Sequence, residues 1–123
     1  MKTHYQNKPL VYSCSGCSNV AQLANDLAVR LDRQGSAQMS CIAGVGGKVK
    51  QLVKVAKSAR PILAIDGCPL NCVKQSLASV DVTPTWHIEL TSLGYKKREH
   101  ENCSAEDLKE LLDKVHRDIL VTS

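Results

Sequence analysis

The chain has 123 residues, 43% apolar and 23% charged, with no Phe, one Trp and three Tyr. That length and balance suit one compact domain with an aliphatic core and exclude global disorder. Net charge is only +4, from 16 basic against 12 acidic residues, and with so few aromatics to interleave it argues against a nucleic-acid surface.

Residues 1–9 are polar and lack an apolar stretch of signal-peptide length. No segment approaches the roughly 18 apolar residues of a membrane helix. The expectation is a single domain spanning residues 1–123, cytoplasmic and away from membranes. Disulfides are uncommon in that compartment, so the six cysteines point to metal or redox chemistry.

Leu10-Val11-Tyr12-Ser13 reads as a short buried strand, emptying into the turn-forming loop Cys14-Ser15-Gly16-Cys17-Ser18. Val20, Leu23, Ala24, Leu27, Ala28 and Leu31 then recur at helical spacing, with Ser18 or Asn19 as the cap and Gly35 as the stop. A brief second strand over about residues 38–43 contains Cys41 and leads into Gly44-Val45-Gly46-Gly47-Lys48. These glycines lack phosphate-loop spacing and read as a tight connection. The next helix turns Val49, Leu52, Val53 and Ala56 inward and leaves Lys50, Lys54 and Lys57 as a solvated stripe.

Ile62-Leu63-Ala64-Ile65 is the clearest strand, because a continuous aliphatic run indicates burial on both faces. It ends in Asp66-Gly67-Cys68-Pro69-Leu70-Asn71-Cys72, where Pro69 suits the first turn of a third helix carrying Val73, Leu77 and Val80 inward. Trp86 to Thr91 alternates apolar and polar residues, as an edge strand with one wet face does, and Gly94 ends it. Lys96-Lys97-Arg98 lies in an exposed loop. Ser104 then opens a last helix whose core stripe is Leu108, Leu111, Leu112, Val115 and Ile119.

Four strand–helix units imply an α/β fold. The expected form is a mainly parallel four-stranded sheet in flavodoxin-like order 2-1-3-4, with helices on both faces. Sites in such sheets form beyond the carboxyl ends of the strands, where strand order reverses. Cys14, Cys41 and Cys68 each follow a strand, and Cys72 lies four residues beyond Cys68. With strands about 4.8 Å apart, these four thiols are expected to share one rim. Helix N-termini at that rim favour thiolates, and zinc relieves their mutual repulsion by taking four sulfurs tetrahedrally at about 2.3 Å. An iron–sulfur cluster uses the same number of thiolates and is the alternative cofactor.

The segments Cys14-Ser15-Gly16, Cys41-Ile42-Ala43-Gly44-Val45-Gly46-Gly47 and Ile65 to Cys72 together resemble the DGC-domain family. This is a group of small bacterial and archaeal proteins named for an Asp-Gly-Cys triplet, here Asp66-Gly67-Cys68. The resemblance runs from about Leu10 to Gly94. It implies a zinc-binding protein with Cys14, Cys41, Cys68 and Cys72 as ligands, and Cys17 and Cys103 fall outside its pattern.

Other residues leave choices open. Cys17 is a fifth ligand, a resolving thiol for Cys14 or a passive neighbour, and Cys103 reads as a free thiol in a loop that reaches the same rim. Asp66 either shapes the turn after its strand or supports the metal, as a hydrogen-bond acceptor behind the ligands or as a ligand itself. His87 is expected to be an exposed imidazole, His100 is a weak candidate ligand near Cys103, and His4 and His116 read as incidental.

Three functions compete. The first is a metal-binding protein with a structural, sensing or metal-transfer role. Its closed all-thiolate site leaves no open coordination position and argues against hydrolysis. The second is a thiol redox, sulfur-carrier or phosphoryl-carrier protein using Cys14 with Cys17. Its phosphatase form is excluded because Val20 occupies the position where that loop needs an arginine. The third is an adaptor docking an unknown protein partner through its basic surface or the Trp86 strand.

Overall fold

A computed structural model describes residues 8–120. Its strands are β1 (Leu10–Ser13), β2 (Gln38–Met39), β3 (Ile62–Asp66) and β4 (Trp86–Glu89). All pair in parallel, in the order β2-β1-β3-β4, which is the order the strand–helix alternation predicts. Every residue of β1 and β3 is buried, as their unbroken apolar runs require, whereas the edge strand β4 is half-buried.

Alternate residues of each central strand face opposite layers. Val11, Leu63 and Ile65 pack beneath α1 (Asn19–Arg33) and α5 (Ala105–Asp118). Leu10, Tyr12, Ile62 and Ala64 pack beneath α2 (Ile42–Gly46), α3 (Lys50–Ala56) and α4 (Cys72–Ala78). Each fully buried leucine or isoleucine contributes about 2 kcal/mol, so this aliphatic sandwich holds the sheet without aromatic bulk. No helix among the described residues is long and apolar enough to cross a membrane.

Helix ends follow the sequence signals in places. The Ser18 hydroxyl accepts the Ala21 N–H at 3.1 Å, and Ser104 accepts from Asp107 at 3.0 Å. Gly35 takes a left-handed φ of 77° just past α1. Lys50, Lys54 and Lys57 are exposed, as a solvated stripe should be.

Several local expectations change. Strand β2 stops at Met39, and the glycine-rich stretch is no tight connection, because Gly44, Val45 and Gly46 lie inside the short helix α2. Two helices therefore join β2 to β3 in place of one. Val49, expected inward, precedes α3 and is 48% exposed. The helix after β3 begins at Cys72 and not at Pro69, because the Asp66 carboxylate captures the amides of Val73 and Lys74 and fixes the start there. Finally, β4 closes at Glu89 into a 3-10 turn over Leu90–Leu93, whose amides at Thr91 and Ser92 the Glu89 carboxylate accepts, before Gly94 ends it at φ 101°.

Candidate metal centre

Cys14 leaves the end of β1 half-buried, and its sulfur accepts the backbone N–H of Gly67 at 3.2 Å. That bond requires the loop after β3 to lie close against α1. A Cβ on Gly67 would sit 2.8 Å from the backbone of Val20, so no other residue fits there without movement. The glycine of the Asp-Gly-Cys triplet therefore brings the β3 loop onto Cys14. Burial pushes the Cys14 thiol up, and the negative charges of Asp66, Cys72 and Cys68 push it further, against the opposing pull of the Gly67 N–H.

Cys41 is the N-cap of α2, and its sulfur accepts the Gly44 N–H at 3.4 Å. It is exposed and lines an open groove with Met39, Leu52 and Val55. The expectation that it lies within a strand fails because the strand ends two residues earlier, yet it still stands at the carboxyl end of β2. Helix α2 packs beside α4, with Gly46 facing Ser76.

Cys68 is half-buried, with the Lys97 ammonium 3.6 Å from its sulfur. Cys72 is the first residue of α4 and is exposed. The preceding Asn71 holds a left-handed φ of 52°. Cys68 is thus not the cap of that helix.

Asp66 is 1% exposed and fully engaged. Its Oδ1 accepts from Val73 at 2.8 Å, while Oδ2 accepts from Lys74 at 3.2 Å and lies 2.9 Å from His87 Nε2. It is a buried helix cap that positions Cys72. His87 is not the exposed imidazole expected. It sits opposite the small Ala64 on β4, on the face where Asp66 emerges, and its side chain is only 21% exposed. Alternation places His87 on the opposite face from Trp86 and Ile88, but that face carries a buried carboxylate and is not open.

Cys17 and Cys103 behave differently. The exposed Cys17 thiol donates to Glu99 Oε2 at 2.8 Å, and the Cys103 thiol donates to Asp26 Oδ2 of α1 at 3.3 Å. Cys103 is a free thiol before the last helix, as expected, and packs on the α1–α5 core while its loop reaches the rim through Lys97. For Cys17 the Glu99 bond raises the thiol pKa, and for Cys103 burial does so first, followed by Asp26. Both are held as protonated thiols. The sulfurs of Cys14, Cys41 and Cys68 instead receive hydrogen bonds.

The structure thus sets Cys14, Cys68 and Cys72 near enough for their charges to act on Cys14, with Cys41 across the neighbouring strand. Among the described residues, no three of these four sulfurs lie within 4.8 Å of one another. A shared ion would require the exposed Cys41 and Cys72 to approach Cys14 and Cys68. The donor set itself fits a thiophilic cation, as four thiols stand at the carboxyl ends of the three adjacent strands β2, β1 and β3, with the nearby Asp66 carboxylate already used elsewhere. In addition, Ser13 Oγ and Asn71 Oδ1, each immediately before a candidate ligand, are buried without hydrogen-bond partners.

Sequence reasoning placed residues 96–98 in a loop but missed what that loop docks against. The buried Asn19 donates to Lys96 O at 2.8 Å and accepts the Arg98 N–H at 2.5 Å, and the Asn19 N–H reaches Arg98 O at 3.0 Å. Lys97 is thereby carried to Cys68, whose charge is the largest cause of the raised lysine pKa. His100 meets Cys17 and Glu99, not Cys103. Asn19, one residue after the N-cap, was the available signal, because an amide there can hold a passing strand. His116 bonds Gln34 Oε1 at 3.0 Å on the surface, and His4 lies outside the described residues.

No solved structure matches. The chain is 62% identical over 109 residues to the anaerobic and virulence modulator AnvM of Pseudomonas aeruginosa, covering 89% of this chain and 83% of the relative. The DGC domain model matches residues 10–115, reaching past Gly94 into α5 and taking in every cysteine. The chain belongs to the DGC-domain family.

Proposed function

We propose that the protein is a small regulatory protein whose rim thiols Cys14, Cys41, Cys68 and Cys72 hold one zinc ion, and that occupancy or oxidation of this site is the signal it passes to a protein partner. The observation that carries this reading is the division of the cysteines by hydrogen-bond direction. Three rim sulfurs accept from Gly67, Gly44 and Lys97, whereas Cys17 and Cys103 donate to carboxylates. Amide-to-sulfur bonds stabilise negative sulfur, and a bound cation deprotonates a coordinating thiol outright. Burial and like charge raise the Cys14 thiol, so gathered thiolates need a cation beside them.

When bound, zinc would supply positive charge that fixes the rim. The chain's own residues do the rest: Gly67 holds the two loops together, Asp66 fixes the start of α4, and Lys97 covers Cys68. The modulator role named for the Pseudomonas relative supports a regulatory reading over a catalytic one. The rival thiol enzyme is disfavoured, because reactive cysteines have lowered pKa values and both Cys14 and Cys17 are raised. An iron–sulfur cluster on the same four residues is the cofactor variant.

Anaerobic purification without chelator, followed by metal analysis and thiol counting before and after metal release, tests this. The reading predicts about one zinc per chain and four thiols appearing on release. Bound iron with sulfide selects the cluster variant. A metal-free chain with one fast-reacting thiol at Cys14 overturns both.

A further inference from the structure

A second group of ligand atoms lies outside the rim. Cys17 Sγ, a Glu99 carboxylate oxygen and a His100 ring nitrogen all fall within 4.8 Å of one another, the only such group of three among the described residues. All three side chains are exposed. They come from two segments far apart in sequence, held together mainly by backbone. Ser18 and Glu99 form an antiparallel bridge, the His100 N–H donates to Cys17 O at 2.9 Å, and Asn19 grips the Lys96 and Arg98 backbone with both ends of its amide. The three donors are therefore positioned by the fold and not by chance side-chain approach.

Their chemistry is selective. One sulfur, one imidazole and one carboxylate together suit a borderline divalent cation such as zinc, cobalt(II) or iron(II), and exclude magnesium and calcium, which take oxygen donors. Three protein ligands leave a fourth tetrahedral position, and here it faces solvent. Such a site is open, in contrast to the closed four-thiol rim. The neighbouring Lys97 has its ammonium 3.4 Å from Glu99 Oε1 and 3.6 Å from Cys68 Sγ, so it stands between the two sites and opposes a cation at the outer one.

We infer that Cys17, Glu99 and His100 form a second, solvent-open site for a borderline divalent cation, beside the rim and separate from it. On binding, the ion replaces the proton that Cys17 now shares with Glu99, and that proton passes to solvent. The fourth position remains available to water or to a ligand group from a partner, which makes this a site for exchange and not for storage.

Cobalt(II) alone is the probe, titrated into the reduced, chelator-stripped full chain while thiolate-to-cobalt absorption is followed. The variants are Cys17→Ser, His100→Ala and Lys97→Met, each at an exposed side chain, with folding checked by circular dichroism. Wild type is expected to take up one more equivalent than Cys17→Ser. His100→Ala weakens that event about 10-fold or more, and Lys97→Met strengthens it by removing the opposing ammonium. Identical titrations of wild type, Cys17→Ser and His100→Ala overturn the inference. A single wild-type equivalent that vanishes in Cys17→Ser upholds it while the rim reading fails, and a single equivalent that survives in Cys17→Ser overturns it.

Discussion

Gly67 donates its backbone N–H to Cys14 Sγ at 3.2 Å, joining the loop after β3 to the end of β1 across the point where strand order reverses. The same residue has no room for a side chain, since a Cβ would lie 2.8 Å from the Val20 carbonyl carbon and oxygen. One glycine thus serves as both spacer and donor.

Gly67→Ala is expected to cost about 2 kcal/mol, the scale of overpacking against backbone that cannot retreat. Gly16→Ala in the facing loop is the control. Its Cβ would meet only Ala21 Cβ at 3.8 Å, an ordinary contact, and its cost should stay within about 0.5 kcal/mol. Urea midpoints of the chelated proteins measure both, and equal midpoints for the two variants contradict the account.

Asp66→Ala removes the acceptor for two amides at the start of α4 and for His87. Leaving buried donors unpaired should cost about 3 kcal/mol, whereas Asp66→Asn, which keeps one oxygen and remains a good cap, should cost about 1 kcal/mol. Urea unfolding ranks the two. A result in which Asn is as damaging as Ala would show that the helix cap is not what Asp66 contributes.

The strand order and the helix stripes were legible because β1 and β3 are unbroken apolar runs and α1 and α5 keep clean helical spacing. The rim could be located for the same reason, since Cys14 and Cys68 follow those strands directly. What stayed hidden depends on contacts between distant segments. His87 looked exposed because alternation gives the face of a strand but not what stands on it, and here a buried Asp66 does. Asn19 reads as a helix cap, and only the folded chain shows residues 96–98 lying across it. Cys17 could not be separated from the rim thiols, since its partners Glu99 and His100 lie more than eighty residues away.

Asn19→Ala should release that loop. Trypsin is expected to cut the basic run Lys96-Lys97-Arg98 faster in Asn19→Ala than in wild type, where Lys96 O, Arg98 N and Arg98 O are all bonded to Asn19. Mass spectrometry of the first fragments locates the cut. Cleavage there at the wild-type rate contradicts the clamp.

Cys103 supplies a pH dependence of stability. Burial and the bond to Asp26 raise its pKa above the ordinary 9.0, so the fold favours the protonated thiol. That contribution is complete below the titration of the unfolded thiol and is lost as pH rises through the higher folded value. Cys103→Ser keeps a donor to Asp26 without a titrating thiol. Wild type should therefore lose stability relative to Cys103→Ser as pH climbs past 9.0, measured by urea midpoints. A difference that stays constant with pH contradicts the assignment.

The central claim, that the four rim cysteines take the first zinc ion while Cys17 and Cys103 keep their bonds to Glu99 and Asp26, is tested most directly by thiol labelling with and without zinc. The reduced, metal-free chain is mixed with one equivalent of zinc, alkylated briefly, and mapped by mass spectrometry. Protection of Cys14, Cys41, Cys68 and Cys72, with Cys17 and Cys103 labelled as before, is the predicted result. A labelling pattern that zinc leaves unchanged, or one in which Cys103 is protected in place of a rim cysteine, would contradict it.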